Sequence, residues 1–256
     1  TPGMIIMRSF GRRRTTEMEM FRNKKNVALL LDPDKVNEEA LPGILKSARK
    51  AGTDFIMVGG SLTFRSVENV IDLIRSNCSI PVVLFPGNLL QLSRKADLIL
   101  LLSLISGRNP ELLIGNHVIA APYLKDVKEK LIPVGYILIG CGSKTSVEYI
   151  SQTEAIPSDK TDIVVATAIA GEMLGLRMIY LEAGSGAGNP VPAEIIKAVR
   201  KEITVPLAVG GGIRTSEEAR EIYEAGADLI ILGNGCEKDL RLLNEACKLR
   251  DDLISK

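Results

Sequence analysis

Eight short apolar runs ending at Gly, Asp or Pro alternate with longer stretches of helical period along 256 residues. That alternation predicts an α/β protein, and eight units favour a closed (β/α)8 TIM barrel over an open sheet. The length agrees, since such a barrel takes about 250 residues as one domain. A weak internal repeat agrees as well. Ala51-Gly52-Thr53-Asp54, Phe55–Val58 and Gly59-Gly60 match Ala225-Gly226-Ala227-Asp228, Leu229–Leu232 and Gly233-Asn234. Each copy reads as a left-handed glycine closing a helix, a strand, and a glycine loop beyond it.

In chain order, strands are expected at Asn26–Leu31, Phe55–Val58, Pro81–Phe85, Leu98–Leu102, Gly135–Ile139, Met178–Leu181, Pro206–Val209 and Leu229–Leu232. Apart from Asn26 they are continuous apolar runs rather than alternating ones, as strands buried on both faces are. Helices are expected at Glu38–Ala51, Val67–Asn77, Asn88–Ser93, Asp126–Leu131, Ile163–Leu174, Ala193–Val199, Ser216–Ala225 and Leu240–Leu249. Thr215-Ser216-Glu217-Glu218 puts a hydroxyl cap and acids where free N–H groups and the positive dipole end need them. Pro192 suits a first helical turn.

Residues 1–25 are expected to form a helical extension packing on the barrel of residues 26–256. This segment carries Arg8, Arg12, Arg13, Arg14, Arg22, Lys24 and Lys25 against Glu17 and Glu19. The excess suits a solvated helix covering the barrel bottom or, on the sharper reading, contact with an anionic membrane surface or substrate.

Apolar residues make up 46% and charged residues 25%, enough for a core without disulfide or metal staples. With 32 basic against 31 acidic residues the net charge is +1, so no global field attracts nucleic acid. Cys78, Cys141, Cys236 and Cys247 form no CxxC pair, which speaks against a zinc site or disulfide framework and fits a reducing compartment. Apolar stretches such as Leu98–Ile105 fall far short of the roughly 20 residues of a membrane-spanning helix. No leader pattern is read at the start. A cytoplasmic protein is expected.

In a barrel of this kind the loops after the strands carry the active site. After the sixth strand comes Tyr180-Leu181-Glu182-Ala183-Gly184-Ser185-Gly186-Ala187-Gly188-Asn189-Pro190, after the seventh Gly210-Gly211-Gly212-Ile213-Arg214, and after the eighth Gly233-Asn234-Gly235. Three consecutive glycine loops can turn backbone N–H groups toward one point, and helix N-termini beyond two of them add positive potential, so a phosphate cradle is expected. Asp32-Pro33-Asp34-Lys35 after the first strand and Gly59-Gly60-Ser61 after the second offer hard oxygen donors suited to magnesium and a diphosphate. Asp32 or Asp34 has the alternative of capping the following helix, Asp34 the more so. Glu182, between strand and cradle, is the candidate base. The single histidine, His117, lies apart from the glycine loops and is read as structural, which disfavours a serine-type triad.

These motifs resemble those of the geranylgeranylglyceryl phosphate synthases and their bacterial heptaprenylglyceryl relatives. The likeness runs from the first strand to the eighth. Its most specific piece is Tyr180-Leu181-Glu182-Ala183-Gly184-Ser185-Gly186. Leu31-Asp32-Pro33-Asp34-Lys35, Val58-Gly59-Gly60-Ser61, Ser103-Leu104-Ile105-Ser106-Gly107-Arg108-Asn109-Pro110, Val209-Gly210-Gly211-Gly212-Ile213-Arg214 and Gly233-Asn234 support it. The resemblance implies magnesium-dependent transfer of a prenyl chain, geranylgeranyl or another long one, from its diphosphate to the C3 hydroxyl of sn-glycerol 1-phosphate. It implies that Tyr180, Leu181, Glu182, Ala183, Gly184, Ser185, Gly186, Gly211, Gly212, Gly233 and Asn234 hold glycerol phosphate. Asp32 and Ser61 would bind Mg2+, with Glu182 and Tyr180 catalytic. It further implies a homo-oligomer. A tail groove is expected around Leu98–Ile114 and Tyr123–Tyr136, and Arg108 is placed either on the diphosphate or in a surface ion pair. Two rivals stay open: an isomerase or lyase of the phosphate-binding barrel class, and a non-catalytic phosphometabolite binder.

Overall fold

The computed structural model describes residues 21, 24–142, 144–233, 236 and 240–255. The expectations for residues 1–20, including Arg8, Arg12, Arg13 and Arg14, and for Arg22, Asn234 and Gly235 lie outside them. Eight parallel strands form the barrel: β1 (Asn26–Leu31), β2 (Phe55–Val58), β3 (Val82–Leu84), β4 (Leu98–Leu104), β5 (Leu131–Gly140), β6 (Met178–Glu182), β7 (Leu207–Gly210) and β8 (Leu229–Leu232). Each pairs with its neighbour in sequence, and β8 returns to β1 through Val27 opposite Ile230, which closes the ring. A two-residue strand, Ile156–Pro157, pairs in a separate sheet with the end of β5.

The α-helices are α1 (Leu41–Ala51), α2 (Val67–Asn77), α3 (Asn116–Leu124), α4 (Ser146–Ser151), α5 (Thr161–Met173), α6 (Ala193–Glu202), α7 (Ser216–Glu224) and α8 (Arg241–Ile254). The expected helix at Asn88–Ser93 is a single 3-10 turn, Leu89–Gln91. So short a segment cannot offset the cost of nucleating an α-helix. The expected helix at Asp126–Leu131 is also 3-10, over Lys125–Lys130, with Val127 off helical geometry. The α-helix of this unit is α3, preceded by one π turn at Glu111–Gly115. Apolar residues on every side and an internal Pro122 hide α3 from a search for an amphipathic stripe. Pro133, atypical within a ladder, likewise masks the true start of β5 at Leu131. Helix α4 was not among the expected helices, although Thr145 and Glu148 form a reciprocal capping box at its start.

Strand alternation divides the core in two. Residues such as Ala28, Met57, Val83, Leu100, Val134, Tyr180 and Ile231 fill the barrel interior. Their neighbours Leu29, Ile56, Leu84, Ile99, Leu181 and Ile230 pack outward against the helices. The lower end is closed by Phe21, which is 1% exposed and stacks on Phe55 at 4.9 Å between ring centroids. Lys25 adds a polar seal, donating to Tyr223 O at 3.1 Å and Ala227 O at 2.6 Å, at the C-terminal end of α7 where carbonyls lack helical partners. Among the described residues, no helix is long and apolar enough to cross a membrane, and all four cysteines are free.

Phe21 joins the segment before β1 to the interior, so Phe21→Ala is expected to lower stability by about 3 kcal/mol in chemical denaturation, the ordinary cost of emptying a buried aromatic site.

Candidate active site

The two-residue period that fills the barrel also sets its upper rim. Two positions beyond Leu30 is Asp32, two beyond Val83 is Phe85, two beyond Tyr180 is Glu182, and two beyond Ile231 is Gly233. Asp32, Phe85, Glu182 and Gly233 line one cleft of about 1320 Å3 at the C-terminal ends of the strands. Leu181 and Ala183 have the opposite parity. Their side chains lie in the outer core, at 0% and 1% exposure.

Glu182 is the centre of the cleft floor. It ends β6, is 6% exposed, and accepts the Tyr180 hydroxyl on Oε2 at 2.5 Å and the Gly184 N–H on Oε1 at 2.7 Å. Burial raises its pKa above the ordinary carboxylate value, while the bonds from Tyr180 and Gly184 pull it back down. A carboxylate so held is a better proton acceptor than one in water, with its lone pairs aimed by two donors. Burial, reinforced by the Glu182 charge, lifts the Tyr180 and Tyr136 hydroxyls well above the usual tyrosine range, so both remain protonated at neutral pH. The same causes push the Cys141 thiol up to about 11, leaving it unreactive.

Tyr136 and Phe85 complete an aromatic cluster that the motifs did not single out. Tyr136 faces Tyr180 across the β5–β6 ladder and meets its ring edge-on, at 5.2 Å and 85°. Phe85 lies 5.7 Å from Tyr180 and 6.1 Å from Tyr136. The available sequence signal was a polar-tipped aromatic inside an otherwise aliphatic barrel strand.

The glycine loops have a second reason besides bare backbone. A Cβ on Gly210 would lie 2.3 Å from the Tyr180 hydroxyl, and one on Gly211, which has φ +81°, would lie 2.4 Å from Glu182 Oε1. The triplet therefore makes room for the Tyr180–Glu182 pair. Arg214 ties the loops together, donating to Ala187 O at 2.8 Å and Gly188 O at 2.9 Å. Gly184, Ser185, Gly186, Gly211, Gly212 and Gly233 all line the cleft.

Across the mouth, Asp32 accepts the Asp34 N–H on Oδ1 at 3.1 Å and pairs with Lys35 through Oδ2 at 2.7 Å. Asp34 does not cap α1, which begins after Ala40 without a side-chain cap. Its carboxylate accepts from the Phe64 and Arg65 N–H groups at 2.8–3.0 Å and closes the loop after β2. Ser61 is half-buried and faces the cleft with Asp32. Among the described residues no three His, Cys, Asp or Glu side chains gather in a metal-binding group. One carboxylate and one hydroxyl form the sparse set that suits an octahedral cation completed by water and phosphate oxygens.

A smaller cavity of about 280 Å3 opens beside the cleft and shares Gly60, Ser61, Phe85, Tyr136, Val147 and Ile150 with it. Its walls are largely apolar: Leu89, Leu92, Leu100, Leu101, Leu102, Leu104, Leu112 and Ala120. Of the expected Tyr123–Tyr136 stretch only Tyr136 reaches it. His117 lines the cavity with Nε2 3.2 Å from Ser103 Oγ, and burial lowers its pKa. Arg108 lines neither cavity and folds back on its own loop, donating to Gly107 O at 2.8 Å.

The PcrB family profile matches residues 18–249. The chain belongs to the PcrB family. It is 52% identical, over 86% of its length and 89% of the relative's, to a geranylgeranylglyceryl phosphate synthase of Spirosoma linguale. It is 43% identical, over 86% and 87%, to one of Thermococcus gammatolerans. The Thermoplasma acidophilum (S)-3-O-geranylgeranylglyceryl phosphate synthase, solved with its substrate sn-glycerol-1-phosphate, superposes with a TM-score of 0.86 at 33% identity over 93% of this chain and 98% of that one.

In this PcrB-family site the Tyr180 hydrogen bond lowers the Glu182 pKa. Tyr180→Phe is expected to move that titration to higher pH, measurable by 13C NMR of labelled glutamate carboxyls. An unchanged titration would mean that Tyr180 does not tune the carboxylate.

Proposed function

We propose that the chain is a magnesium-dependent prenyltransferase that joins a geranylgeranyl group from its diphosphate to the C3 hydroxyl of sn-glycerol 1-phosphate, forming the first ether bond of archaeal-type lipids. The observation that carries this reading is the buried Tyr180–Glu182 pair at the floor of a cleft rimmed by the glycine loops and Asp32, which opens sideways into an apolar cavity. A phosphate acceptor and a hydrocarbon donor need those two environments side by side. The names of the relatives and the sn-glycerol-1-phosphate in the Thermoplasma structure support the same chemistry.

The acceptor phosphate sits against the backbone N–H groups around Gly186, Gly211, Gly212 and Gly233, with Asn234 and the Ser185 hydroxyl as further donors. The glycerol arm then points inward to Glu182. The C3 hydroxyl proton passes to Glu182 Oε while the hydroxyl oxygen bonds to C1 of the prenyl group. The C1–O bond breaks and its electron pair leaves with the diphosphate. The allylic carbon gains cationic character as that bond stretches, and the rings of Tyr180, Tyr136 and Phe85 offer negative faces to it without a competing nucleophile, because both hydroxyls stay protonated. Asp32 and Ser61 would hold Mg2+, which supplies charge neutralisation for the departing diphosphate. Lys35, paired with Asp32, adds a second positive charge at the same rim.

Incubation with sn-glycerol 1-phosphate, Mg2+ and prenyl diphosphates of several lengths tests the assignment by mass spectrometry. An ether-linked product is expected, whereas a lyase, an isomerase or a passive binder yields none. Glu182→Gln is expected to keep glycerol phosphate affinity within a few fold and to lose about 100-fold or more in kcat, the scale of general base catalysis. Undiminished turnover would remove Glu182 from that role. Asp32→Asn is expected to raise the Mg2+ concentration for half-maximal rate by roughly tenfold, the effect of losing about 1.4 kcal/mol, in a magnesium titration of the two proteins.

A further inference from the structure

Gln91 is one of the few polar side chains sealed inside the upper part of the molecule. It is 1% exposed and ends the 3-10 turn between β3 and β4. Its amide makes three hydrogen bonds, all to the backbone of two strand-end loops. Nε2 donates to Gly60 O at 2.7 Å, and Oε1 accepts from Gly60 N at 3.3 Å and Gly87 N at 3.1 Å. Only a side chain bearing both a carbonyl and an NH2 group can serve this set, which excludes a carboxylate or an apolar residue of similar size.

The two loops are in hard contact. A Cβ on Gly87 would fall 2.2 Å from Gly60 O, and one on Gly59 would fall 1.8 Å from Phe85 O. Gly60 and Ser61, held from behind by Gln91, form part of the rim shared by the main cleft and the apolar cavity. Gly60 also abuts Asp32, whose Cγ would be 3.4 Å from a Cβ at that position. The glycine cradle, by contrast, is built from the loops after β6, β7 and β8, and among the described residues none of it hydrogen-bonds to Gln91.

We infer that Gln91 is a positioning residue for the prenyl diphosphate: by clasping Gly60 to Gly87 it fixes the rim on which the diphosphate and the head of the chain rest, and leaves the glycerol phosphate side untouched. The inference rests on the function proposed above. A residue serving only general stability would affect both substrates alike. A residue holding one rim affects one substrate.

The test compares the full-length protein with Q91E, which keeps shape and acceptors but loses the donor to Gly60 O, and with Q91L, which loses all three bonds. Binding of a non-reacting thiolodiphosphate analogue of geranylgeranyl diphosphate and of sn-glycerol 1-phosphate is measured separately by calorimetry, alongside KM, kcat and thermal midpoint. In Q91E the dissociation constant and KM for the prenyl ligand are expected to rise roughly tenfold, as for loss of one well-made buried hydrogen bond. Those for glycerol phosphate should change by less than about twofold. Q91L should show the same split more strongly. If Q91L does not fold, Q91E carries the test. Equal weakening of both ligands, or no weakening of either, overturns the positioning role. A wild-type protein that binds no prenyl analogue and forms no ether product overturns the proposed function, and this inference with it.

Discussion

A carboxylate carried to the floor of a barrel has lost its water, and the upper half of this molecule is arranged around that fact. Glu182 is tolerable there because Tyr180 and the Gly184 N–H supply two of the donors that solvent would have supplied. Both partners come from the same short stretch of chain as the acid itself. Tyr180 shares its strand face through the two-residue period, and Gly184 follows at the turn. The loop after β7 must then leave the pair unobstructed, which is why Gly210 and Gly211 carry no side chains. The glycine triplet is thus tied to the buried Tyr180–Glu182 pair as much as to any phosphate.

The same economy of parity organises the rest of the rim. Asp32, Phe85 and Gly233 are continuations of inward-facing core positions, so the rigidity of the barrel interior extends directly into the groups that line the cleft. Leu181 and Ala183, one residue out of phase, bind the strand to its outer helices instead. A motif read as a string of contiguous residues therefore contains two populations: side chains that line the cleft, and side chains that keep the first population in place.

Much of this was legible in the chain itself. Long aliphatic runs named the barrel strands because burial on both faces leaves a continuous apolar signal, and Asp32, Glu182 and the glycine loops followed from their positions after strands. What escaped depended on contacts between distant segments. Tyr136 and Phe85 look like ordinary core residues until the β5–β6 register sets Tyr136 beside Tyr180. Gln91 looks like a surface residue until the turn that bears it folds against a loop formed 31 positions earlier. Helix α3 lacks a polar face, so periodicity had nothing to detect. Asp34 offered the same chemistry to a helix end or to a neighbouring loop, and only the path of the chain decided for Phe64 and Arg65.

The single 3-10 turn between β3 and β4 has a mechanical side. A barrel is closed by its strands, so one member of the outer helical ring can be reduced to a turn without opening the sheet. The gap it leaves is bounded by β3, of three residues, and β4, of seven, which pair only at Val83–Leu98 and Leu84–Ile99. On its far side β4 is held by β5 over six register positions, from Ile99–Leu131 to Leu104–Tyr136. The strand that walls the slot is thus anchored from behind, and the short ladder at its front leaves room for the apolar cavity without loosening the ring.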